Sequence, residues 1–313
     1  MPIVNLASIN VGEFPKGVSI APSSIFKESP LKAAPTTVLY PSSEDTLPLV
    51  CDSPHSGTAY PDDFAYEVPF SLLRKGEDTD VDELWSHVPK VGGTLICATF
   101  PRTYIDPNRA VDDIDPDMLD AQWPHPLNPS EKSRLGYGLV WQKMDSANPI
   151  YSKKLSVDDV RHRIQNYWRP YRDALDQAFS TARENFGGVW HLNLHSMPNN
   201  AYERLGLKGK VLADFVLGDR DGTTCDPEFM AVVEQSLKKH GYTVARNDPY
   251  KGVAVLADLG RPEFNQHSLQ IEVRRPLYMD EATRERSENF TTLQAHLSDA
   301  VSDIAEFVRS KLR

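Results

Sequence analysis

Two histidine–serine pairs carry residue types that bind metal ions or catalyse hydrolysis. One pair lies in CDSPHSG, where His55 and Ser56 follow an apolar run, and the other lies in LNLHSMP, with His195 and Ser196. Histidine can bind a metal ion, act as a general base, or hold a turn through hydrogen bonds. Each pair alone is typical of a turn at the end of a strand. The repeated pattern predicts that both histidines lie at one edge of a sheet.

Further polar side chains follow other predicted strands and define the chemistry more closely. They are Arg102, Asp106, Asn108, Arg109 and Glu272. Histidines and a carboxylate together hold a divalent metal ion, and a glutamate can serve as the base. Arginines bind a carboxylate or a phosphate through two parallel hydrogen bonds. These residue types predict a metal-dependent enzyme with an anionic small-molecule substrate.

Serine-nucleophile chemistry is the rival interpretation of the two pairs. Neither pair has the G-x-S-x-G spacing of a nucleophile elbow, and a histidine directly before its serine points to the opposite side of a strand. His191 and His195 have the HxxxH spacing that can bind zinc. On a strand, however, His191 lies well back in the sheet. We therefore expect Ser56 to be a turn residue and His191 to be a core residue.

The elements that must position these side chains alternate between strands and helices. Apolar runs predict strands at 47–52, 93–102, 188–198, 213–219 and 268–279. Helical spacing predicts helices at 69–92, at 155–187 with a break at Pro170, at 226–241 and at 281–312. This alternation predicts a mostly parallel sheet with helices on both faces. In such sheets the functional groups gather at the carboxyl ends of the strands.

Composition narrows the class of protein. The chain has 313 residues, with 34 Lys and Arg against 44 Asp and Glu, so the net charge is 34 − 44 = −10. No Lys/Arg run forms a nucleic-acid stripe. No apolar stretch approaches the ~18 residues that span a bilayer, and the N-terminus lacks a signal-peptide pattern. Three widely spaced cysteines form no disulfide framework. We expect a cytoplasmic enzyme with no nucleic-acid or membrane partner.

The motifs occur in an order that resembles the N-formylglutamate amidohydrolase family. They are CDSPHSGTAYP, EDTDVDEL, RTYIDPNR, GLVW, YWRPYRDAL, LNLHSMP, DFVLGDRDGTTCD, NDPYKG and LQIEVRRPLYMDE. The series covers roughly residues 47–290. Residues 1–45, which are rich in Pro, Ser, Thr and Ala, lie outside it and predict an extended arm before a catalytic domain at 46–313.

The resemblance implies a fold and an activity. The fold is a single-domain, three-layer α/β/α architecture with a mixed, mostly parallel sheet, similar to the zinc carboxypeptidases and the wider phosphorylase/hydrolase group. The activity is the hydrolysis of N-formyl-L-glutamate to formate and L-glutamate, a step of histidine degradation. The alternatives are a zinc enzyme that acts on another N-acyl amino acid or short peptide, and a non-catalytic binding protein.

The resemblance also implies the metal ligands. Zn²⁺ would be held by His55, His195 and a third residue. Thr58 occupies the position where zinc carboxypeptidases have a glutamate ligand, so the third ligand must come from elsewhere. The EDTD segment offers acids at the right place in the family pattern. We favour Asp78 as the third ligand, with Asp80 as the alternative.

The remaining roles follow the same resemblance and the chemistry of amide hydrolysis. Glu272 would activate water as the base, and Arg102 would stabilise the oxyanion of the tetrahedral intermediate. Asn108 and Arg109 would bind the α-carboxylate of the substrate. A second carboxylate, on the substrate side chain, would meet Arg274 or Arg275, with Arg274 preferred.

Overall fold

A seven-stranded sheet forms the centre of the computed structural model, which describes residues 34–41, 45–207 and 209–312. The strands are β1 (Thr36–Leu39), β2 (Leu49–Ser53), β3 (Thr94–Ala98), β4 (Lys143–Asp145), β5 (Asn148–Pro149), β6 (Val189–Met197), β7 (Phe215–Gly218), β8 (Val244–Arg246) and β9 (Gln266–Arg274). The central sheet has the order β1-β3-β2-β6-β9-β7-β8, and β4 pairs with β5 separately. Four of its six pairings are parallel and two are antiparallel.

Helices cover both faces of this sheet. They are α1 (Phe70–Leu73), α2 (Val81–Leu84), α3 (Glu131–Arg134), α4 (Val157–Arg163), α5 (Arg169–Phe186), α6 (Ala201–Arg204), α7 (Pro227–Lys238), α8 (Ala254–Leu259) and α9 (Phe290–Lys311). The predicted α/β fold with a mixed, mostly parallel sheet is confirmed. Among the described residues, no helix combines the length and apolarity needed to cross a bilayer.

The first strand lies inside the predicted arm. β1 pairs antiparallel with β3, with Thr36 opposite Ala98 and Leu39 opposite Leu95. Four residues are too few for a periodic sequence pattern to stand out, and the pairing with β3 sets the extended conformation of β1. Residues 1–33 lie outside the described part of the chain. The boundary between an arm and a catalytic domain at residue 46 stays a prediction.

Two predicted helices differ from the observed ones. The segment 69–92 contains only the four-residue helices α1 and α2 with short turns, because Glu77 is extended and its carbonyl oxygen accepts hydrogen bonds from both Arg275 and Arg284. The last helix begins at Phe290 rather than at 281, after a chain reversal closed by a bridge between Met279 and Arg286.

Pro170 does not break the helix at 155–187. A π-helical turn at Ile164–Trp168 joins α4 to α5, and Pro170 is the second residue of α5. A π turn shifts the hydrogen-bond pattern by one residue where it meets an α-helix. The missing N–H of Pro170 falls at that junction, so the helix continues through it.

The faces of β6 decide where the polar groups lie. Trp190, Leu192 and Leu194 belong to the core that β6 shares with α7 and α9. Successive side chains of a strand alternate between faces, so His191, Asn193 and His195 lie on the opposite face. That face is covered by α5, whose Phe179 ring contacts His191 at 5.1 Å between ring centroids. A polar stripe therefore runs through the middle of an otherwise apolar sheet.

Candidate metal centre

Three side chains meet at the carboxyl ends of the central strands. His55, Asp78 and His195 are all buried and offer one ligand atom each, and these atoms lie within 4.8 Å of one another. The Nδ1 atoms of His55 and His195 lie 3.3 and 3.2 Å from Oδ2 of Asp78. The structure thus brings together the three residues that the sequence favoured as metal ligands.

Neighbouring strands place the two histidines. His55 follows β2, and β2 pairs in parallel with β6, which carries His195. Asp78 comes from the loop before α2, and its backbone N–H donates to the carbonyl oxygen of His55 at 2.9 Å. The pairing of strands sets the separation of the histidines, and this backbone hydrogen bond places the carboxylate beside them.

Asp80, the alternative third ligand, lies elsewhere. Its carboxylate accepts from Arg286 at 2.7 and 3.0 Å in a partly exposed ion pair. Asp80 also has a left-handed backbone with φ of 63°. Ser56 is likewise separate from the chemistry, because its hydroxyl contacts Ser53 and accepts from the backbone N–H of Asp82.

On each histidine, the ring nitrogen that faces away from Asp78 lies within hydrogen-bond distance of an oxygen atom. Nε2 of His55 lies 2.8 Å from Oδ1 of Asp106, and Nε2 of His195 lies 2.6 Å from Oδ1 of Asn193. An oxygen acceptor at Nε2 favours the tautomer that leaves the Nδ1 lone pair free. Both Nδ1 atoms then face Asp78.

Asp78 is oriented by Arg275, which follows β9, and by Ser196 of β6. Its Oδ1 accepts from Nη2 of Arg275 at 2.9 Å and from the hydroxyl of Ser196 at 3.2 Å, which leaves Oδ2 for the histidines. Burial opposes the charged form, but the polar contacts with His195 and His55 and the charge of Arg275 hold the pKa of Asp78 well below its usual range. The carboxylate is therefore ionised at neutral pH.

This donor set fits a divalent metal ion. Two imidazole nitrogens and a carboxylate oxygen are a ligand set that zinc and similar cations accept, with further positions left open. Burial lowers the pKa of His195 despite the opposing effect of Asp78, so the ring is neutral at pH 7 and keeps its lone pair. Asp78 and His195 are thus in the protonation states that metal binding requires.

Glu272 lies beside this group on the next strand. β6 and β9 run in parallel with His195 opposite Glu272 in the register. One carboxylate oxygen accepts from Nε2 of Gln270 at 2.9 Å. Burial, followed by the negative charge of Asp78, raises the pKa of Glu272 to about 8. A carboxyl group with a raised pKa next to a metal-type ligand set is typical of a catalytic acid or base.

Asp106 connects the ligands to the arginines. Its Oδ2 accepts from Nη2 of Arg102 at 2.7 Å and lies 3.9 Å from Nε of Arg109, while its Oδ1 bonds to His55. Arg102 also lies over the ring of Trp141, at 4.9 Å from the ring centroid. The one carboxylate of Asp106 therefore holds a metal-type histidine and two arginines in a fixed arrangement.

Asn108 and Arg274, the other two residues predicted to bind substrate, do not contact Asp106 through their side chains. Nδ2 of Asn108 lies 3.3 Å from Oδ1 of Asn193 and 2.9 Å from Nε2 of His195. Arg274 pairs with Asp214 at 2.6 Å and lines a cavity of about 540 Å³. The substrate-binding roles of Asn108 and Arg274 stay predictions.

Several functional contacts were outside the sequence prediction. The sequence predicts Asp106 as a strand-end acid but not its bond to His55, although the DPNR motif places Asp106 next to the predicted carboxylate clamp. The sequence offers Arg275 as the alternative to Arg274 for a substrate contact, whereas the structure shows Arg275 bonded to Asp78 and Ser196. The contact between Asn193 and His195 could have been suspected from the strand alternation in HLNLH.

Comparisons with known proteins show which family the chain is similar to. A model of the N-formylglutamate amidohydrolase family matches residues 47–279. The crystal structure of N-formylglutamate amidohydrolase from Ralstonia eutropha JMP134 is 60% identical, with a TM-score of 0.88, over 89% of this chain and 100% of that chain. N-formylglutamate deformylase of Pseudomonas putida is 27% identical over 75% of this chain and 83% of its own length.

A more distant solved structure supports the fold alone. A gene product of Agrobacterium tumefaciens has a TM-score of 0.63 at 15% identity, over 90% of this chain and 96% of that chain. The wider likeness to zinc carboxypeptidases stays a prediction. The family predicted from the ordered motifs is confirmed, and with it an enzyme that hydrolyses amide bonds. The chain belongs to the N-formylglutamate amidohydrolase family.

Proposed function

We propose that this protein hydrolyses the amide bond of N-formyl-L-glutamate, giving formate and L-glutamate, with Zn²⁺ as its metal ion. One observation carries the proposal: a buried group of two histidines and an aspartate lies next to Glu272, which is in register with His195. The names of the relatives from Ralstonia eutropha and Pseudomonas putida supply the substrate.

The metal ion would be held by Nδ1 of His55, Nδ1 of His195 and Oδ2 of Asp78. A divalent cation with these donors supplies Lewis-acid chemistry, which polarises a carbonyl group and makes water more acidic. Glu272 would take a proton from the attacking water and deliver it to the leaving nitrogen of glutamate. Its place on β9, beside β6, holds its carboxylate at the same end of the sheet as the ligands.

The arginines would bind the charged parts of the substrate. Arg102 and Arg109 carry two positive charges, and Asp106 is the carboxylate that they share. One positive charge therefore remains uncompensated within this group, next to the metal-type ligands. This excess favours a carboxylate or a developing oxyanion. We assign the α-carboxylate to Arg109 and the oxyanion to Arg102.

Replacing Arg109 with alanine is expected to lower kcat/KM for N-formylglutamate about 10- to 1000-fold, because a charge-assisted contact worth about 1.5–3 kcal/mol or more would be lost. Steady-state kinetics would measure this. Arg134→Ala, which removes an exposed arginine from α3, is the control and should leave kcat/KM unchanged. An unchanged kcat/KM for the Arg109 variant would mean that the carboxylate binds elsewhere.

A substrate panel with measured metal content tests the proposed function. The panel compares formyl with acetyl groups and glutamate with aspartate and neutral amino acids, on protein never exposed to chelator. We expect N-formylglutamate to have the highest kcat/KM and about one divalent ion per chain. A better acetylated or neutral substrate would favour the alternative, a zinc enzyme for another N-acyl amino acid. Protein with no metal ion and no gain of activity on adding Zn²⁺ would contradict both.

A further inference from the structure

A chain of buried polar side chains lies behind His195 on the face of β6 that α5 covers. Oδ1 of Asp52 accepts from Nε2 of His191 at 2.7 Å and from Nδ2 of Asn193 at 2.9 Å. Oδ2 of Asp52 accepts from the hydroxyl of Tyr171 at 2.6 Å. Each of these four residues is at most 1% exposed. A buried carboxylate is costly unless hydrogen bonds compensate for the lost water, and Asp52 has three.

The direction of each hydrogen bond in this chain is determined. A carboxylate is only an acceptor, so Asn193 must present its NH₂ group to Asp52. The carbonyl oxygen of the same amide then points the other way, to Nε2 of His195 at 2.6 Å. The tautomer of His191 is determined in the same way. Its Nε2 donates to Asp52, and its Nδ1 can accept from the hydroxyl of Ser268 at 2.8 Å. Asp52 therefore sets the orientation of the Asn193 amide.

Asn193 and Asn108 require opposite protonation states of Nε2 of His195. The carbonyl oxygen of Asn193 requires a proton on Nε2 of His195, whereas Nδ2 of Asn108, 2.9 Å from the same atom, would require a lone pair there. The amide of Asn193 is held by the charge of Asp52. Oδ1 of Asn108 is buried and has no hydrogen-bond partner among the described residues. The orientation of the Asn193 amide is therefore the better determined of the two. Oδ2 of Asp78 is the second acceptor for the proton of His195, but it lies 3.2 Å from Nδ1 of His195 and also 3.3 Å from Nδ1 of His55, whereas Oδ1 of Asn193 lies 2.6 Å from Nε2 of His195. The shorter contact, which serves one ring only, favours the proton on Nε2.

We propose that Asp52 is a positioning residue that acts through Asn193 to keep the proton of His195 on Nε2 and its Nδ1 lone pair free for a metal ion. The inference rests on the proposed metal centre for its purpose. The opposite tautomer would place a proton on Nδ1, between His195 and Asp78, where the ligand atom is needed. Asp52 thus controls the ligand although it contacts neither His195 nor Asp78 in the structure.

The tautomer can be measured in the metal-free wild-type protein. ¹⁵N NMR of histidine-labelled protein at pH 8 distinguishes a protonated ring nitrogen from an unprotonated one. His195→Gln identifies the signal of that ring. We expect a proton on Nε2 of His195, and a proton on Nδ1 would overturn the proposal. This measurement does not depend on metal binding, so a protein that binds no metal ion would contradict the proposed function and leave this test valid.

Variants then measure the consequence for metal affinity, by competition with a chromophoric chelator. Asp52→Leu and Asn193→Leu are each expected to weaken Zn²⁺ binding about 10- to 100-fold, the usual effect of losing a residue that orients a ligand. Asp52→Asn removes the charge but keeps an oxygen acceptor, so it should lose less than Asp52→Leu. Tyr171→Phe removes only the bond to Oδ2 and should keep the wild-type affinity.

A double variant separates positioning from a general effect of charge. If Asp52 acts through Asn193, the variant with leucine at both positions should lose no more affinity than either single variant. Additive losses, or equal losses for Asp52→Asn and Asp52→Leu, would show a long-range effect of charge and overturn the proposal. Circular dichroism of each variant shows whether it is folded, and the wild-type tautomer decides the question if Asp52→Leu is not.

Discussion

Replacing Glu272 with glutamine is expected to lower kcat about 10²- to 10⁴-fold while the purified protein keeps its metal ion. Glutamine has almost the same shape and can still bond to Gln270, but it cannot accept a proton from water. The metal-type ligands, which are His55 after β2, His195 on β6 and Asp78 in the loop before α2, are unchanged. Steady-state kinetics and metal analysis of the same preparation would measure both quantities.

The raised pKa of Glu272 supplies a second measurement. In the metal-free protein this pKa is about 8, so the carboxyl group is protonated at pH 7. A bound cation favours the ionised form, and His195 and Asp78 are already deprotonated at that pH. Metal binding at pH 7 should therefore release up to about one more proton from wild type than from Glu272→Gln. Calorimetry in buffers of different ionisation enthalpy measures that difference.

Glu263→Gln is the control for this variant. Glu263 is exposed and lies in the turn before β9, so the charge change is the same and the site is untouched. Turnover within a few-fold of wild type in Glu272→Gln, with the metal ion retained, would remove Glu272 as the base. Equal proton release from both proteins would show that Glu272 does not respond to the metal ion.

Replacing Asp78 with asparagine is expected to weaken Zn²⁺ binding at least about 100-fold, because one of three protein donors loses its charge. Asparagine can still accept from Arg275, so the surrounding loop should keep its conformation. Asp80→Asn is the matched control, since Asp80 is two residues away and pairs with Arg286 instead. A chelator competition assay on both variants decides between the two acids.

His195→Ala is the companion variant, and it should lose metal binding without leaving a buried charge unpaired. His125→Ala, which removes an exposed histidine, should bind Zn²⁺ as wild type does. If Asp78→Asn binds normally and Asp80→Asn does not, the third ligand has been assigned to the wrong acid. Thermal unfolding of the metal-free variants distinguishes a lost ligand from a lost fold.

The positions of the main site residues could be predicted because strands impose a simple geometry. His55, His195 and Glu272 follow or end apolar runs, and the carboxyl ends of parallel strands meet at one edge. Side chains two residues apart on a strand share a face, so the spacing in HLNLH puts His191, Asn193 and His195 together. The fold class followed from the same alternation of strands and helices.

The remaining contacts depend on approaches between distant parts of the chain. Arg275 and Arg284 bond to the carbonyl oxygen of Glu77 and hold the loop before α2 out of a helix, which local spacing could not indicate. The short edge strand β1 exists through its pairing with β3. From the sequence, Asp52 is only the last residue of a predicted buried strand. Its role becomes visible in the structure, where Asn193 donates to its carboxylate. Such side-chain pairings are decided by packing, not by local sequence patterns.

The parallel register of β6 and β9 has a consequence for how such enzymes can diverge. His195 and Glu272 face each other because backbone hydrogen bonds align two neighbouring strands, not because the connection between them has a particular length. Insertions in the loops around β7 and β8 would leave that alignment intact, since surface connections tolerate changes in length. The loops around β7 and β8 can therefore change in length while His195 and Glu272 stay aligned.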